Sequence, residues 1–89
     1  MGKLYVRFAT AVDCFMLWQW ANDSEVRKNS FQSAKIPLVE HELWYASVLA
    51  NPNILLYIMM EDEIPVGQIR LEKEEHWQVS YSIAPSYRG

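Results

Sequence analysis

The stretch that most constrains the fold is Ile54–Met60, an unbroken apolar run with the length of one β-strand. Such a run, without polar alternation, predicts a central strand that is buried on both faces of its sheet. Two further strand-like segments follow, Ile64–Glu72 and Trp77–Ile83, and the charged turns Glu61–Glu63 and Lys73–Glu75 separate the three. Because these turns are short, we predict that the three segments pair as an antiparallel meander.

The N-terminal half adds one strand and two helices. Leu4–Phe8 alternates apolar and polar residues, and Thr10 with Asp13 forms a capping-box-like helix start for residues 11–21. Pro37 is suited to the first turn of a second helix, Leu38–Ala50. The order β-α-α-β-β-β predicts an α+β domain with a mainly antiparallel, four-stranded sheet and two helices packed on it.

The second predicted helix carries apolar residues on two faces. Spacing by three and four residues assigns the core stripe to Val39, Leu43, Ala46 and Ala50. His41, Trp44, Tyr45 and Val48 then share another face of the same helix.

Composition excludes several functional classes. The chain has 89 residues, enough for one small domain, and its 51% hydrophobic content argues against disorder. A net charge of −3 gives no long-range attraction to nucleic acid or to anionic membranes. Cys14 is the only cysteine, so neither a disulfide framework nor a metal site is predicted. Without a signal-like or membrane-spanning apolar segment, we expect a cytoplasmic protein.

Three segments, in this order and spacing, resemble the GNAT family of acetyl-CoA-dependent N-acetyltransferases. They are L-W-Q-W-A-N-D-S-E-V-R-K-N-S-F at Leu17–Phe31, E-H-E-L-W-Y at Glu40–Tyr45 and S-Y-S-I-A-P-S-Y-R-G at Ser80–Gly89. The branches most similar are the bacterial amino-sugar and ribosomal-protein acetyltransferases. The element order is similar to the N-terminal half of the GNAT fold, so the resemblance implies that residues 1–89 form a partial acetyltransferase domain without its C-terminal half.

The resemblance also implies where acetyl-CoA, the expected cosubstrate, would bind. In the family, backbone groups at the end of the fourth strand hold the pantetheine arm and the thioester, which here are those of Ser82, Ile83 and Ala84. Arg88 and Gly89 would begin the loop that cradles the pyrophosphate, whose remaining glycines would follow Gly89. We therefore expect the 89-residue chain alone to be inactive and to self-associate through an exposed sheet edge or apolar surface.

Several residues have both a functional and a structural interpretation. His41 is a candidate proton relay for the substrate amine, although a histidine on a helix surface is more often simply solvated. Trp44 and Tyr45 are candidates for a stacking wall, and interior packing explains them at least as well. Arg27 and Lys28 are candidates for binding a diphosphate, or are solvated charges.

These residues favour a small-molecule acceptor, the primary amine of a nucleotide-linked amino sugar. Ring stacking and two cations match its flat faces and its diphosphate. One alternative is an acetyltransferase of peptide or ribosomal-protein N-termini, which the negative net charge would also suit. Another is a degenerate, non-catalytic GNAT module that binds a ligand or a partner.

Overall fold

The computed structural model of the chain describes residues 2–23 and 34–87. These residues form β1 (Leu4–Phe8), α1 (Cys14–Ala21), α2 (Leu38–Ala50), β2 (Ile54–Glu61), β3 (Ile64–Lys73) and β4 (Trp77–Ile83). Short 3-10 turns precede α1 at Ala11–Asp13 and follow β4 at Pro85–Tyr87. The predicted α+β architecture is confirmed. Within the described ranges, neither helix is long and apolar enough to cross a membrane.

The four strands form one sheet in sequence order, and every neighbouring pair is antiparallel. β2 and β3 occupy the interior of this sheet, which confirms the central position predicted for the apolar run. The turn between them places Asp62 at a φ of 55°, a left-handed conformation that aspartate tolerates. A bulge interrupts the β2–β3 pairing, because Met59 pairs with Gly67 and Met60 with Pro65.

Both helices contribute to a core on one face of the sheet. The buried side chains of this core are Leu17 of α1, Tyr45 and Val48 of α2, and Leu56, Ile58 and Met60 of β2. The alternate β2 residues Leu55, Tyr57 and Met59 are only half-buried. The prediction that β2 is buried on both faces is therefore wrong for the described part of the chain, where the helices cover one face.

The opposite face of the sheet is apolar and bare. Phe8 stacks on Tyr57 there, with ring centroids 4.8 Å apart. Along the two outer strands the exposed apolar side chains of this face are Leu4, Val6, Phe8, Trp77, Val79 and Tyr81. No layer covers this face within residues 2–23 and 34–87.

The face of α2 that is buried in the structure differs from the predicted core stripe. Val39 and Leu43 are exposed, whereas His41, Tyr45 and Val48 are buried against the sheet and α1. The two polar residues on the buried face find partners: His41 Nε2 lies 3.0 Å from the Cys14 carbonyl oxygen, and the Tyr45 hydroxyl donates to the Thr10 carbonyl. Burial of this face is tolerated because both side chains are hydrogen-bonded, His41 through Nε2 and Tyr45 through its hydroxyl.

The predicted capping box at the start of α1 is present, and it is linked to β1. The Thr10 amide donates to Asp13 Oδ2 at 2.8 Å, and Arg7 forms a bidentate pair with the same carboxylate, with both N–O distances 2.9 Å. Hydrogen bonds from Arg7 hold the pKa of Asp13 below its ordinary value. We refer to Arg7, Thr10, Asp13 and Tyr45 as the junction, because they fasten β1, α1 and α2 together.

Candidate active site

A cleft runs along the helix-covered side of β3 and β4. Its larger part, of about 310 Å³, is lined by Leu17, Ala21, Ile36, Glu40, His41, Trp44 and Gln68. Its smaller part, of about 220 Å³, is lined by Gln68, Arg70, Ser80, Tyr81 and Ser82. Because Gln68 lines both parts, they adjoin, and we refer to them as the large and the small cavity of the cleft.

The large cavity has an outer wall fixed by hydrogen bonds. The backbone of Ile36 is clamped by Asn22, which accepts from its amide at 2.6 Å and donates to its carbonyl oxygen at 3.0 Å. The indole Nε1 of Trp18 donates to the same carbonyl oxygen at 2.7 Å. These bonds join the end of α1 to the segment before α2, so the two helices enclose a preformed space rather than a loose gap.

His41 occupies the inner wall of the large cavity, where its side chain is almost fully buried. Because a carbonyl oxygen can only accept, the contact with Cys14 places the proton of the neutral imidazole on Nε2. Nδ1 then carries the lone pair. Burial lowers the pKa of His41, so the imidazole is neutral at physiological pH.

The predicted aromatic wall is only half present. Trp44 lines the large cavity and is 42% exposed, with its ring centroid 5.6 Å from that of His41. Tyr45 does not line the cleft, because its side chain is 2% exposed and belongs to the core and the junction. The burial of Tyr45 and its hydrogen bond agree with an interior packing role and not with a stacking wall.

The small cavity has a polar floor, of which the sequence analysis named only Ser82. Strand alternation and the pairing of Gln68 with Ser82 and of Arg70 with Ser80 place these four side chains on the helix side of the sheet. Arg70 Nε lies 2.8 Å from Glu72 Oε1, and each side chain is a little over one-third exposed. On the face of the sheet where β2 carries apolar residues, β3 carries polar residues at alternate positions. This alternation was the signal that sequence reasoning missed.

The end of β4 borders the small cavity at Ser82. β4 is an edge strand of the described sheet, paired only with β3. The Ala84 amide donates to the Val66 carbonyl at 2.7 Å, so this particular backbone donor is already engaged by β3. The predicted residues Arg27, Lys28, Arg88 and Gly89 lie outside the described residues.

No family model and no curated protein matches this chain. Solved structures do match it. A Bacillus halodurans protein of uncharacterised function shares 22% identity with a TM-score of 0.83, and the match covers 99% of this chain and 52% of that one. The aminoglycoside acetyltransferase AAC(6')-Ib, solved with coenzyme A and kanamycin, shares 23% identity over 98% of this chain and 58% of its own, with a TM-score of 0.75.

A third match is a chimera of spermidine N-acetyltransferase SpeG from Vibrio cholerae. It shares 14% identity over 97% of this chain and 53% of its own, with a TM-score of 0.76. This chain therefore spans about half the length of the solved structures that it matches. The chain has the fold that its motifs predicted, that of the N-terminal half of a GNAT acetyltransferase.

Proposed function

We propose that this chain belongs to an N-acetyltransferase that transfers the acetyl group of acetyl-CoA to a primary amine. The observation that carries the proposal is the cleft, which leads from a helix-walled cavity to the end of β4 in a fold shared with acetyltransferases. Ser82, Ile83 and Ala84 would hold the pantetheine arm at that end. Arg88 and Gly89 would begin the pyrophosphate-binding loop.

The reaction needs no covalent enzyme intermediate. The substrate amine attacks the thioester carbonyl, a C–N bond forms, the C–S bond breaks, and the coenzyme A thiolate takes up a proton. The amine must first lose a proton, because an ammonium has no lone pair. His41 Nδ1, the unprotonated nitrogen of a fixed neutral imidazole, is our candidate for receiving that proton directly or through a water molecule.

For the acceptor we propose an amino sugar, in its nucleotide-linked form. Trp44 offers a partly exposed ring for stacking in the large cavity. The floor of the small cavity presents an amide, two hydroxyls and a guanidinium, which suit a hydroxyl-rich ligand with an anionic substituent. Arg27 and Lys28 would add cations for a diphosphate. The named acetyltransferases among the matches also concern amines, an aminoglycoside and spermidine.

The test is coenzyme A release by the protein as its gene encodes it, including any residues that flank positions 1–89. Sugar nucleotides that carry a primary amine are compared with N-terminal peptides as acceptors. We expect turnover with the sugars and about a fivefold loss of kcat/KM in Trp44→Ala, because stacking contributes about 1 kcal/mol. The matched control is Trp77→Ala, an exposed tryptophan on the opposite face of the sheet.

The alternatives give different results in the same assay. Turnover with peptides alone would replace the amino sugar with a peptide or ribosomal-protein N-terminus. Absence of both turnover and acetyl-CoA binding would favour a non-catalytic module.

We also propose that the 89-residue chain forms homo-oligomers. The bare apolar face and the β4 edge support this, because exposed apolar surface and unpaired strand edges both favour association with a second copy. Sedimentation of the purified chain should give a mass that rises with protein concentration. A monomer at all concentrations contradicts this part of the proposal.

A further inference from the structure

The large cavity has walls that are mostly apolar or neutral. Leu17, Ala21 and Ile36 supply hydrocarbon surface, and the burial of His41 keeps its imidazole neutral at physiological pH. Glu40 is the one carboxylate among the described residues that line this cavity, and its side chain is exposed. A solvent-exposed carboxylate raises the affinity for a cation by up to about fivefold, so Glu40 can favour a cationic ligand in this cavity.

Within the described part of the chain, Glu40 forms no salt bridge. The two described ion pairs are Arg7–Asp13, at the junction, and Arg70–Glu72, beside the small cavity. The carboxylate of Glu40 is therefore not neutralised by a described cation, in contrast to Asp13 and Glu72.

Trp44 lies one helical turn after Glu40 and lines the same cavity. An indole ring face attracts a cation through its quadrupole, so Glu40 and Trp44 favour the same kind of ligand group. We propose that Glu40 binds the ammonium group of the acceptor in the large cavity and thereby selects cationic amines over neutral analogues. This inference rests on the proposed function, because it assigns the recognition of the acceptor in that same site.

A structural role for Glu40 has a different signature. Glu40 lies in the first turn of α2, where a negative charge stabilises the helix whatever ligand is present. Glu42 provides the matched comparison, because it is an exposed carboxylate two residues later that lines a different groove, beside Cys14 and Ala46. A general effect of negative charge would change with either residue, and a helix effect at Glu40 would lower stability without distinguishing cationic from neutral ligands. Recognition of an ammonium in the large cavity would instead lose the preference for the cationic ligand when Glu40 is changed and keep it when Glu42 is changed.

The test is a pair of NMR titrations of the isotope-labelled 89-residue chain, with glucosamine and with glucose. The two sugars differ in one substituent, an ammonium in place of a hydroxyl, when the pH is kept low enough to protonate the amine. We expect glucosamine to bind about threefold more tightly, the effect of one solvent-exposed ion pair, and to shift the Trp44 indole and Gln68 side-chain resonances. Glu40→Gln should abolish this preference, and Glu42→Gln should keep it.

Glu40→Asp is the second variant, because it keeps the charge and should retain part of the preference even if Glu40→Gln folds poorly. Equal binding of both sugars to the unmodified chain, or the same loss in Glu42→Gln as in Glu40→Gln, overturns the inference. Absence of any shift at Trp44 and Gln68 overturns it as well. Because the titration needs no acetyl-CoA, an intact amine preference without acetyl transfer would refute the enzyme and leave this amine site standing.

Discussion

The junction and the cleft are both polar clusters on the helix side of the sheet. The polar atoms of the junction are hydrogen-bonded to one another, whereas those of the cleft face open space. At the junction, the Asp13 carboxylate receives hydrogen bonds from both Arg7 and Thr10, and the Tyr45 hydroxyl is bonded to backbone. In the cleft, Gln68, Ser80 and Ser82 line open space. Arg70 has one carboxylate beside it, and both partners of that pair are partly exposed.

This difference suggests that the polar groups of the junction stabilise the fold and that those of the cleft bind a ligand. Polar groups that form hydrogen bonds with one another in a buried site fix the arrangement of β1, α1 and α2. Removing one of these groups leaves its partners without a hydrogen bond. Polar groups that line a cavity contribute little to stability and are available to a ligand. The comparison predicts that substitutions at the junction reduce stability, whereas substitutions in the cleft reduce binding.

The largest effect should come from Asp13→Asn. The substitution removes the charge that pairs with Arg7 and leaves a buried site with mismatched hydrogen bonds. We expect the free energy of unfolding to fall by about 2 to 3 kcal/mol, less than for a fully buried pair because Arg7 is partly exposed. Urea denaturation followed by tryptophan fluorescence measures this change.

Glu63→Gln is the control for Asp13→Asn, because Glu63 is an exposed carboxylate in the β2–β3 turn. It should change the free energy of unfolding by less than about 0.5 kcal/mol. If Asp13→Asn is equally mild, the junction is not the structural fastening that we infer.

The next effect in size is that of Gly67→Ala, at the β3 residue beside the cleft-lining Gln68. A β-carbon at Gly67 would lie 2.5 Å from the Ser82 carbonyl oxygen and would also collide with the end of the Met59 side chain. Met59 can move, but the backbone of β4 must shift, so we expect a loss of about 2 kcal/mol. The same shift would displace the proposed acetyl-CoA site at Ser82–Ala84.

Gln68→Ala is the comparison for Gly67→Ala, because its side chain faces the cleft rather than the neighbouring backbone. It should cost less than about 1 kcal/mol, measured by the same denaturation experiment. Equal costs for the two substitutions would mean that β4 adapts to a β-carbon at position 67 without strain.

Element boundaries could be predicted from this sequence because local signals set them. Pro37 and Asn51 delimit α2, and the charged turns delimit β3, whose first residue was predicted correctly and whose end was placed one residue early. Such signals depend on residues close in the chain. The packing face of a helix is harder to predict than its ends, because it depends on partners that are distant in sequence.

The assignment of the core face of α2 failed for this reason. Val39 and Leu43 look like core residues from spacing alone, yet His41 and Tyr45 are buried because Cys14 and Thr10 supply acceptors for their polar atoms. The floor of the small cavity depends on the pairing of β3 with β4, which no short motif encodes. Trp44 and Ser82, two of the residues proposed from the sequence, line the cleft, and Arg70 and Ser80 line it without having been proposed.

A smaller effect is expected from pH, through His41. Because burial lowers its pKa in the folded state, the unfolded chain binds a proton more readily once the pH falls below the ordinary histidine value of 6.5. Stability should be unaffected above that value and should fall as the pH decreases from 6.5 toward the lower folded-state pKa. Urea midpoints measured across this range test the sign.

His41→Gln should remove this acid dependence, because an uncharged amide replaces the imidazole. His76→Gln should leave it in place, since His76 is exposed in the β3–β4 turn. An acid dependence that disappears in the His76 variant and persists in the His41 variant would contradict the buried, neutral state assigned to His41.

The smallest effect on stability, and the sharpest contrast with the junction, should come from Arg70→Gln. Its ion pair with Glu72 is partly exposed on both sides, so we expect a change in the free energy of unfolding below about 0.5 kcal/mol. In the protein as its gene encodes it, including any residues that flank positions 1–89, the same substitution should weaken the binding of a sugar nucleotide about tenfold. It should leave the binding of the free amino sugar unchanged, because only the sugar nucleotide carries phosphates. Lys73→Gln is the control, since it removes a cation from the same strand on the opposite face, where the ammonium lies 6.0 Å from the Trp77 ring. A large stability loss in Arg70→Gln, or equal losses of affinity in both variants, would mean that the floor of the small cavity has a structural role. The junction and the cleft would then not differ in the way that we infer, one stabilising the fold and the other binding a ligand.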